Sequence, residues 1–264
     1  MAPPRFSIVT VARNDVEGLQ STWRSLRIQE EVSWEWVVQD GDSSDGTAEW
    51  LSALDDPRLR WSSEKDTGVY DAMNKAIAGI RGDAVLFLNA GDLLTDRSVL
   101  ADVWMRWSPL SGPAWAYGRV RVVEKDGRLI RSAGLEPFSA RRVHYGYRSI
   151  PHQAAFFSRG LLFRLGCYRT DVGVIADQEL MLRAAAVERP LLLRRDIADY
   201  LAGGMSWGRA PDAFVRDART LRLLKGRPVG GTRSLDRLIT EAMSLDKKAR
   251  DLVSRRVLRR GVRG

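Results

Sequence analysis

Short apolar runs alternate with polar, helix-capable stretches through the first hundred residues. The runs FSIVTVA (6–12), WEWVVQD (34–40), LRWSSE (59–64) and DAVLFLNA (83–90) are rich in β-branched and aromatic residues and read as strands. Helical patterns start near Asp15, Asp45 and Tyr70, each with a capping or turn residue at or before its start. This βαβαβαβ rhythm predicts a parallel sheet with crossover helices.

After Ser98 the rhythm changes. SVLADVWMRW has a helical pattern, and AYGRVRVVEKDGRLIRSAG places two β-rich arms around a Lys125-Asp126-Gly127 turn, which predicts a hairpin. The sheet is therefore expected to become mixed. QAAFFS leads to a helix ending near Gly166, ADQELMLRAAAVE is a helix stopped by Pro190, and LLLRRDIADYLAGGMS is a strand running into a glycine-rich loop. There is no internal repeat, and the one linker-like stretch is LKGRPVGGTRS, 224–234. The predicted organisation is a domain over 1–208, with halves 1–97 and 98–208, and a helical extension over 209–264.

Composition narrows the class. The chain has 264 residues, 44% of them hydrophobic, enough for a sizeable core. Cys167 is its only cysteine, which excludes an internal disulfide and a Cys-rich zinc site. No apolar run is long enough to cross a bilayer, and the first residues lack the order of a signal peptide, so a cytoplasmic protein is expected. The net charge of +9 suggests a polyanionic partner until it is located. From Arg209 onward there are 16 Lys/Arg against 6 Asp/Glu, a net of +10, leaving 26 against 27, or −1, for residues 1–208. Nucleic acid is therefore not expected on the body.

Within the tail, Leu235, Leu238, Ile239, Ala242, Leu245, Ala249, Leu252, Val253 and Val257 recur at helical spacing with basic residues between them. Two readings stand equally: an amphipathic helix lying peripherally on the inner, anionic face of a membrane, or one packing its apolar stripe on the body.

Ligands of an open α/β sheet bind beyond the carboxyl ends of its strands. Four polar clusters fall there: Ala12-Arg13-Asn14-Asp15, Asp40-Gly41-Asp42-Ser43-Ser44-Asp45-Gly46-Thr47, Glu64-Lys65-Asp66-Thr67-Gly68 and Asn89-Ala90-Gly91-Asp92. Ser44 or Asp45 as a helix cap, and the glycines as turn residues, account for much of the second cluster. They leave Asp40 unexplained; a carboxylate at a strand end suits a base imino or ribose hydroxyl donor. In the third cluster and the helix after it, Tyr70 and Asn74 share a helical face, and Asp66, Asn74 and Lys75 at a helix N-terminus suit a diphosphate. Taken alone, Asp92 reads as a turn residue.

In order and spacing, FSIVTVARND, VVQDGDSSDGT, SEKDTGVYDAMNKAI and GDAVLFLNAGDLL resemble the motifs of family-2 glycosyltransferases with the GT-A fold, especially the subgroup that builds bacterial polysaccharides and glycolipids. The resemblance is strong over residues 6–96 and looser to about 206. It implies an α/β, Rossmann-like, mainly parallel mixed sheet flanked by helices. It also implies transfer of a sugar, usually with inversion, from a nucleoside-diphosphate-sugar, a UDP-sugar first, to the hydroxyl of a sugar, glycolipid or small-molecule acceptor. Ala12, Arg13, Asn14, Asp40, Asp42, Asp66, Tyr70, Asn74, Lys75, Asn89, Ala90 and Gly91 fall to the donor, with Asp40 at the base. Asp92 is the surviving acid of an Asp-x-Asp-Asp motif that holds Mg²⁺ or Mn²⁺ on the diphosphate. Asn89 and Gly91 replace its other acids, so metal binding is expected to be weak and donor-assisted, with help from the Asn89 carbonyl or His152 of HQA. Asp177 matches the family's base, and it is also an ordinary N-cap position. Tyr145, Tyr147, Arg148 and Trp207 suit an acceptor by composition. A non-catalytic homologue and, more distantly, a sugar nucleotidyltransferase remain alternatives; the glycine-rich triphosphate loop of the latter is missing.

Overall fold

The computed structural model describes residues 4–124, 126–134, 136–146, 150–202, 210 and 212–261, with no side-chain account of 251 and 253–261. The chain divides into two compact units, 1–138 with 150–204, and 139–149 with 205–264. The expected boundary at 208 thus falls near 204, and residues 139–149, expected in the first domain, group with the tail.

In the first unit, β1 (Phe6–Ala12), β2 (Trp34–Asp40), β3 (Leu59–Ser63) and β4 (Ala84–Phe87) alternate with α1 (Val16–Arg27), α2 (Thr47–Ala53) and α3 (Val69–Ile77). There follow β5 (Leu93–Leu94), α4 (Val99–Arg106), β6 (Trp115–Val123), β7 (Leu129–Ala133), β8 (Ala155–Ser158), α6 (Arg159–Leu165), α7 (Ala176–Val187) and β9 (Leu191–Leu201). The sheet runs β3-β2-β1-β4-β8-β6-β9-β5, with β7 beside β6. β1 to β4 are mutually parallel, as expected. β8 is antiparallel to β4 and β6, and β9 runs parallel to β6, so the sheet is mixed. The hairpin arms pair as predicted, although Lys125 lies outside the described residues.

Every residue of β1 and β2 is buried, because crossover helices cover both faces. On one face Trp36 stacks on Trp23 at 5.2 Å and Arg58 lies 4.1 Å over Trp34. On the other, Phe87 meets Tyr168 edge-on at 5.0 Å. The ladder of β4 ends at Phe87, sooner than the predicted 83–90. Leu88 and Ala90 still donate to Val9 and Val11, so the chain follows β1 to its carboxyl end.

The second unit contains α5 (Ala140–His144), α8 (Ala213–Leu224) and α9 (Arg233–Gly261). Its centre is polar: buried Arg222 donates to Asp236 at 2.7 Å, to Thr240 at 2.8 Å and to the His144 carbonyl at 2.5 Å. On α9, Asp236, Thr240 and Ser244 are buried while Leu235, Leu238, Leu245 and Leu252 are exposed. Within this unit α9 thus turns its polar residues, rather than the leucines of its apolar stripe, towards α8.

Candidate active site

The four clusters meet at the carboxyl edge of β1 to β4, and backbone hydrogen bonds stitch them together. Gly41 N–H donates to Ala12 O at 2.9 Å. Asn14, at φ 53°, donates its N–H to Ser43 Oγ at 2.7 Å and accepts Ser44 N–H on Oδ1 at 2.8 Å. The helix after β2 has no capping side chain at Gly46. Asp45 serves two helices instead, accepting Val16 N–H of α1 at 2.9 Å and Thr47 Oγ1–H of α2 at 2.6 Å. Those bonds hold its carboxyl below the usual range.

Asp40, expected at a base, has no exposed surface. Its Oδ1 accepts the Ser43 hydroxyl at 2.5 Å, and its Oδ2 accepts Ser43 N–H at 3.1 Å and Ser63 Oγ–H at 2.6 Å. It shapes the loop. Asp42 is exposed with φ 62°. Asp66 accepts Gly68 N–H on Oδ1 at 2.8 Å, while its Oδ2 faces Gly41. A Cβ on Gly41 would lie 2.4 Å from that oxygen and 3.4 Å from Arg13 Cβ. The missing side chain at Gly41 thus lets the Asp66 carboxylate lie close against the loop after β2, beside Arg13.

The turn after β4 is built around a threonine. Asp92 N–H donates to Asn89 O at 3.0 Å, and Gly91 takes φ 85°. The Thr22 hydroxyl lies 2.9 Å from Asp92 O and 3.2 Å from Asn89 O, and accepts Gly91 N–H at 3.1 Å. Asp92 is buried, and its Oδ2 accepts Gln153 Nε2–H at 3.0 Å. Desolvation pushes its carboxyl up to about 6, against the opposing pull of His152 and Gln153. Asn89 Nδ2 lies 3.2 Å from His152 Nε2, and Asn89 Oδ1 is buried without a hydrogen-bond partner among the described residues. With the amide donating, the ring proton sits on Nδ1, which faces Asp177 Oδ2 at 3.8 Å. Asn89, His152 and Asp177 therefore form a line, with Asp92 close to His152. Among the described residues no three His, Cys, Asp or Glu side chains gather as a metal cluster.

Asp177 lies in the first turn of α7 and is not its cap, which is Ile175. Its Oδ1 accepts the N–H of Gln178 at 2.7 Å, and Gln178 Nε2 donates to Ile150 O at 2.8 Å. The residues expected at a diphosphate have other partners. Asn74 bonds the backbone of Tyr168, and the Tyr70 hydroxyl donates to Val174 O at 3.1 Å. Lys75 Nζ donates to Lys65 O at 2.6 Å, with carboxylates of Asp71 and Glu64 at 3.6 and 3.8 Å. Beyond α6, Arg183 holds the Leu165 carbonyl and the Cys167 carbonyl, the latter at 2.7 Å. Sequence reasoning gave no role to Thr22, Ser43, Ser63 or Gln153; Ser43, inside the second cluster, and Gln153, next to His152, had a signal. Of the acceptor residues, Tyr145 sits under the Arg222 guanidinium in the second unit, while Tyr147, Arg148 and Trp207 lie outside the described residues.

The sequence matches glycosyl transferase family 2 over residues 7–161. It is 37% identical over 235 residues to an uncharacterized glycosyltransferase of Mycobacterium tuberculosis, covering 87% of this chain and 88% of that one. It is 31% identical over 219 residues to a PGL/p-HBAD biosynthesis glycosyltransferase of Mycobacterium bovis, covering 81% and 82%. The fold resembles S. aureus TarS 1–349 in complex with UDP-GlcNAc, with TM-score 0.64, 16% identity, and coverage of 83% of this chain and 66% of that chain. It also resembles the mannosyltransferase PcManGT from Pyrobaculum calidifontis in complex with GDP-Man and Mn²⁺, with TM-score 0.57, 19% identity, and coverage of 93% and 81%.

Proposed function

From the premise that the chain belongs to glycosyl transferase family 2 and is a glycosyltransferase of GT-A fold, we propose that it is an inverting enzyme using a nucleoside-diphosphate-sugar, a UDP-sugar first, to build a polysaccharide or glycolipid. The observation that carries this reading is the convergence of Asn89, Asp92, His152 and Asp177 at the end of β4.

The base lies against the loop edge formed by Arg13, Gly41 and Asp66, with Asp40 behind it fixing the loop through Ser43. The Asn89–Asp92 turn faces the diphosphate. A desolvated carboxylate and an unpartnered amide oxygen are hard donors that suit Mg²⁺ or Mn²⁺, with phosphate and water completing the set. Such a cation neutralises charge on the departing diphosphate. Asp92 and Asn89 Oδ1 would hold it, and His152 would support Asn89 without itself being a required ligand.

Asp177 accepts the proton of the acceptor hydroxyl, whose oxygen attacks the anomeric carbon as the bond to the diphosphate breaks on the opposite side. Inversion follows from one displacement. Its Oδ1 is fixed by Gln178 N–H, and its Oδ2 lies on the His152 side, which aims the carboxylate. Tyr70, Asn74 and Lys75 act behind the donor, as supports for the loop before α7 and for the loop after β3.

Thermal-shift titrations with UDP-, GDP- and dTDP-sugars, with and without Mn²⁺, followed by turnover of the stabilising donor, test the reading. Stabilisation with cation-enhanced turnover is expected. A donor that binds and is never transferred supports a non-catalytic homologue, and no response to any nucleotide sugar removes the proposal.

A further inference from the structure

α9 packs with its polar side. Asp236 and Thr240 are buried on Arg222, and Ser244 is buried one turn further on, whereas Leu238, Leu245 and Leu252 are 63%, 68% and 59% exposed. Their spacing of seven returns them to one side of the helix, drifting only about 20° per repeat. Ala242 and Ala249 between them are exposed too. Within its own unit, a helix that buries polar residues and presents a leucine stripe outward leaves that stripe without an apolar partner.

The charge beside the stripe identifies that partner. Arg237, Lys248 and Arg250 along the described helix are paired with Glu241, Asp212 and Asp246, and the positive excess comes from residues 253–264, which add five arginines and no acid. A second copy would bring the same excess of positive charge against itself. Three leucines also offer only a small part of the roughly 800 Å² per partner that a standard interface buries. A surface that is apolar underneath and anionic above complements both features. Among the described residues no helix is long and apolar enough to span a membrane, so a docked α9 would lie in the plane of the surface.

We propose that α9 docks on an anionic lipid surface, its leucines at the headgroup boundary and its arginines on lipid phosphates. Flotation of the full chain with vesicles tests this, using equal parts phosphatidylglycerol and phosphatidylcholine against phosphatidylcholine alone. Binding is expected only with the anionic lipid, and is released by salt. The variant Leu238→Ser/Leu245→Ser/Leu252→Ser is expected to bind at least roughly tenfold more weakly with an unchanged thermal midpoint. Arg255→Gln/Arg256→Gln/Arg259→Gln/Arg260→Gln, which leaves the stripe intact, is expected to lose the anionic preference. Three outcomes overturn the proposal: no flotation of the wild type, flotation unaffected by the leucine changes, or a dimer in sedimentation velocity that the same leucine changes dissolve.

Discussion

Asn74 grips the backbone of Tyr168 with both ends of its amide, Nδ2 donating to the carbonyl and Oδ1 accepting the N–H, each at 2.9 Å. Tyr70 adds its hydroxyl bond to Val174 and a ring contact with Tyr168 at 5.2 Å. α3 thereby sets the course of the segment that enters α7, and the position of Asp177 depends on a helix of the donor half.

Asn74→Ala leaves the Tyr168 N–H and carbonyl unpaired at a part-buried site, which costs about 1–3 kcal/mol of stability. The loop loses its anchor at the same time. We expect kcat to fall at least roughly tenfold with little change in donor Kd. Equal losses in donor affinity and kcat would return Asn74 to the diphosphate.

Asp177→Asn keeps the size of the side chain and removes its capacity to take a proton. The expected result is a kcat lower by about 10²–10⁴-fold with donor affinity unaltered, measured by single-turnover transfer and by titration calorimetry. Wild-type-like transfer would remove the assignment.

Burial makes Asp92 a pH-dependent element. Its carboxyl titrates at about 6 when folded against an ordinary 3.8, so the folded state retains the proton longer than the unfolded chain. The contribution of Asp92 to stability is therefore highest below the ordinary value and falls as pH rises from about 4 through about 6, by up to about 3 kcal/mol. Urea midpoints are expected to show the wild type losing stability relative to Asp92→Asn as pH rises across this range. Because a cation needs the carboxylate ionised, Mn²⁺-dependent stabilisation of the donor complex should weaken below about pH 6.

Gly41→Ala tests the placement of the base against Asp66. A methyl group 2.4 Å from Asp66 Oδ2 forces that carboxylate aside. Nucleotide affinity is expected to fall roughly tenfold, raising KM more than it lowers kcat. Unchanged UDP binding would place the base elsewhere.

Much of this edge was legible because parallel strands buried on both faces read as continuous apolar runs and end abruptly at polar residues. Asp92 and Asp177 stand out as candidates in their motifs. The partnerships could not. Thr22 looks like any residue on the buried side of α1, yet its hydroxyl sits inside the Asn89–Asp92 turn, 67 and 70 residues away. The motif puts Asn74 near a helix N-terminus, where anion binding is a fair expectation, but it lies in the middle of α3, and its bond to Tyr168 spans 94 residues and leaves no local trace. Asp40 read as a free acceptor because Ser63, which satisfies it, sits on the neighbouring strand. The tail misled in another way: periodicity identifies the apolar stripe of a helix, but the ion pair of Arg222 with Asp236 decides which side turns inward.

The segment that Asn74 anchors also carries Cys167, at φ 58°, its carbonyl held by Arg183. As the only thiol in the chain, it is a unique attachment point for a spin label or fluorophore on the strap between α6 and the turn bearing Asp177. Burial pushes the thiol up, so labelling calls for mildly alkaline buffer. A probe there would time the motion of this strap as donor and acceptor come and go, with no background from a second site.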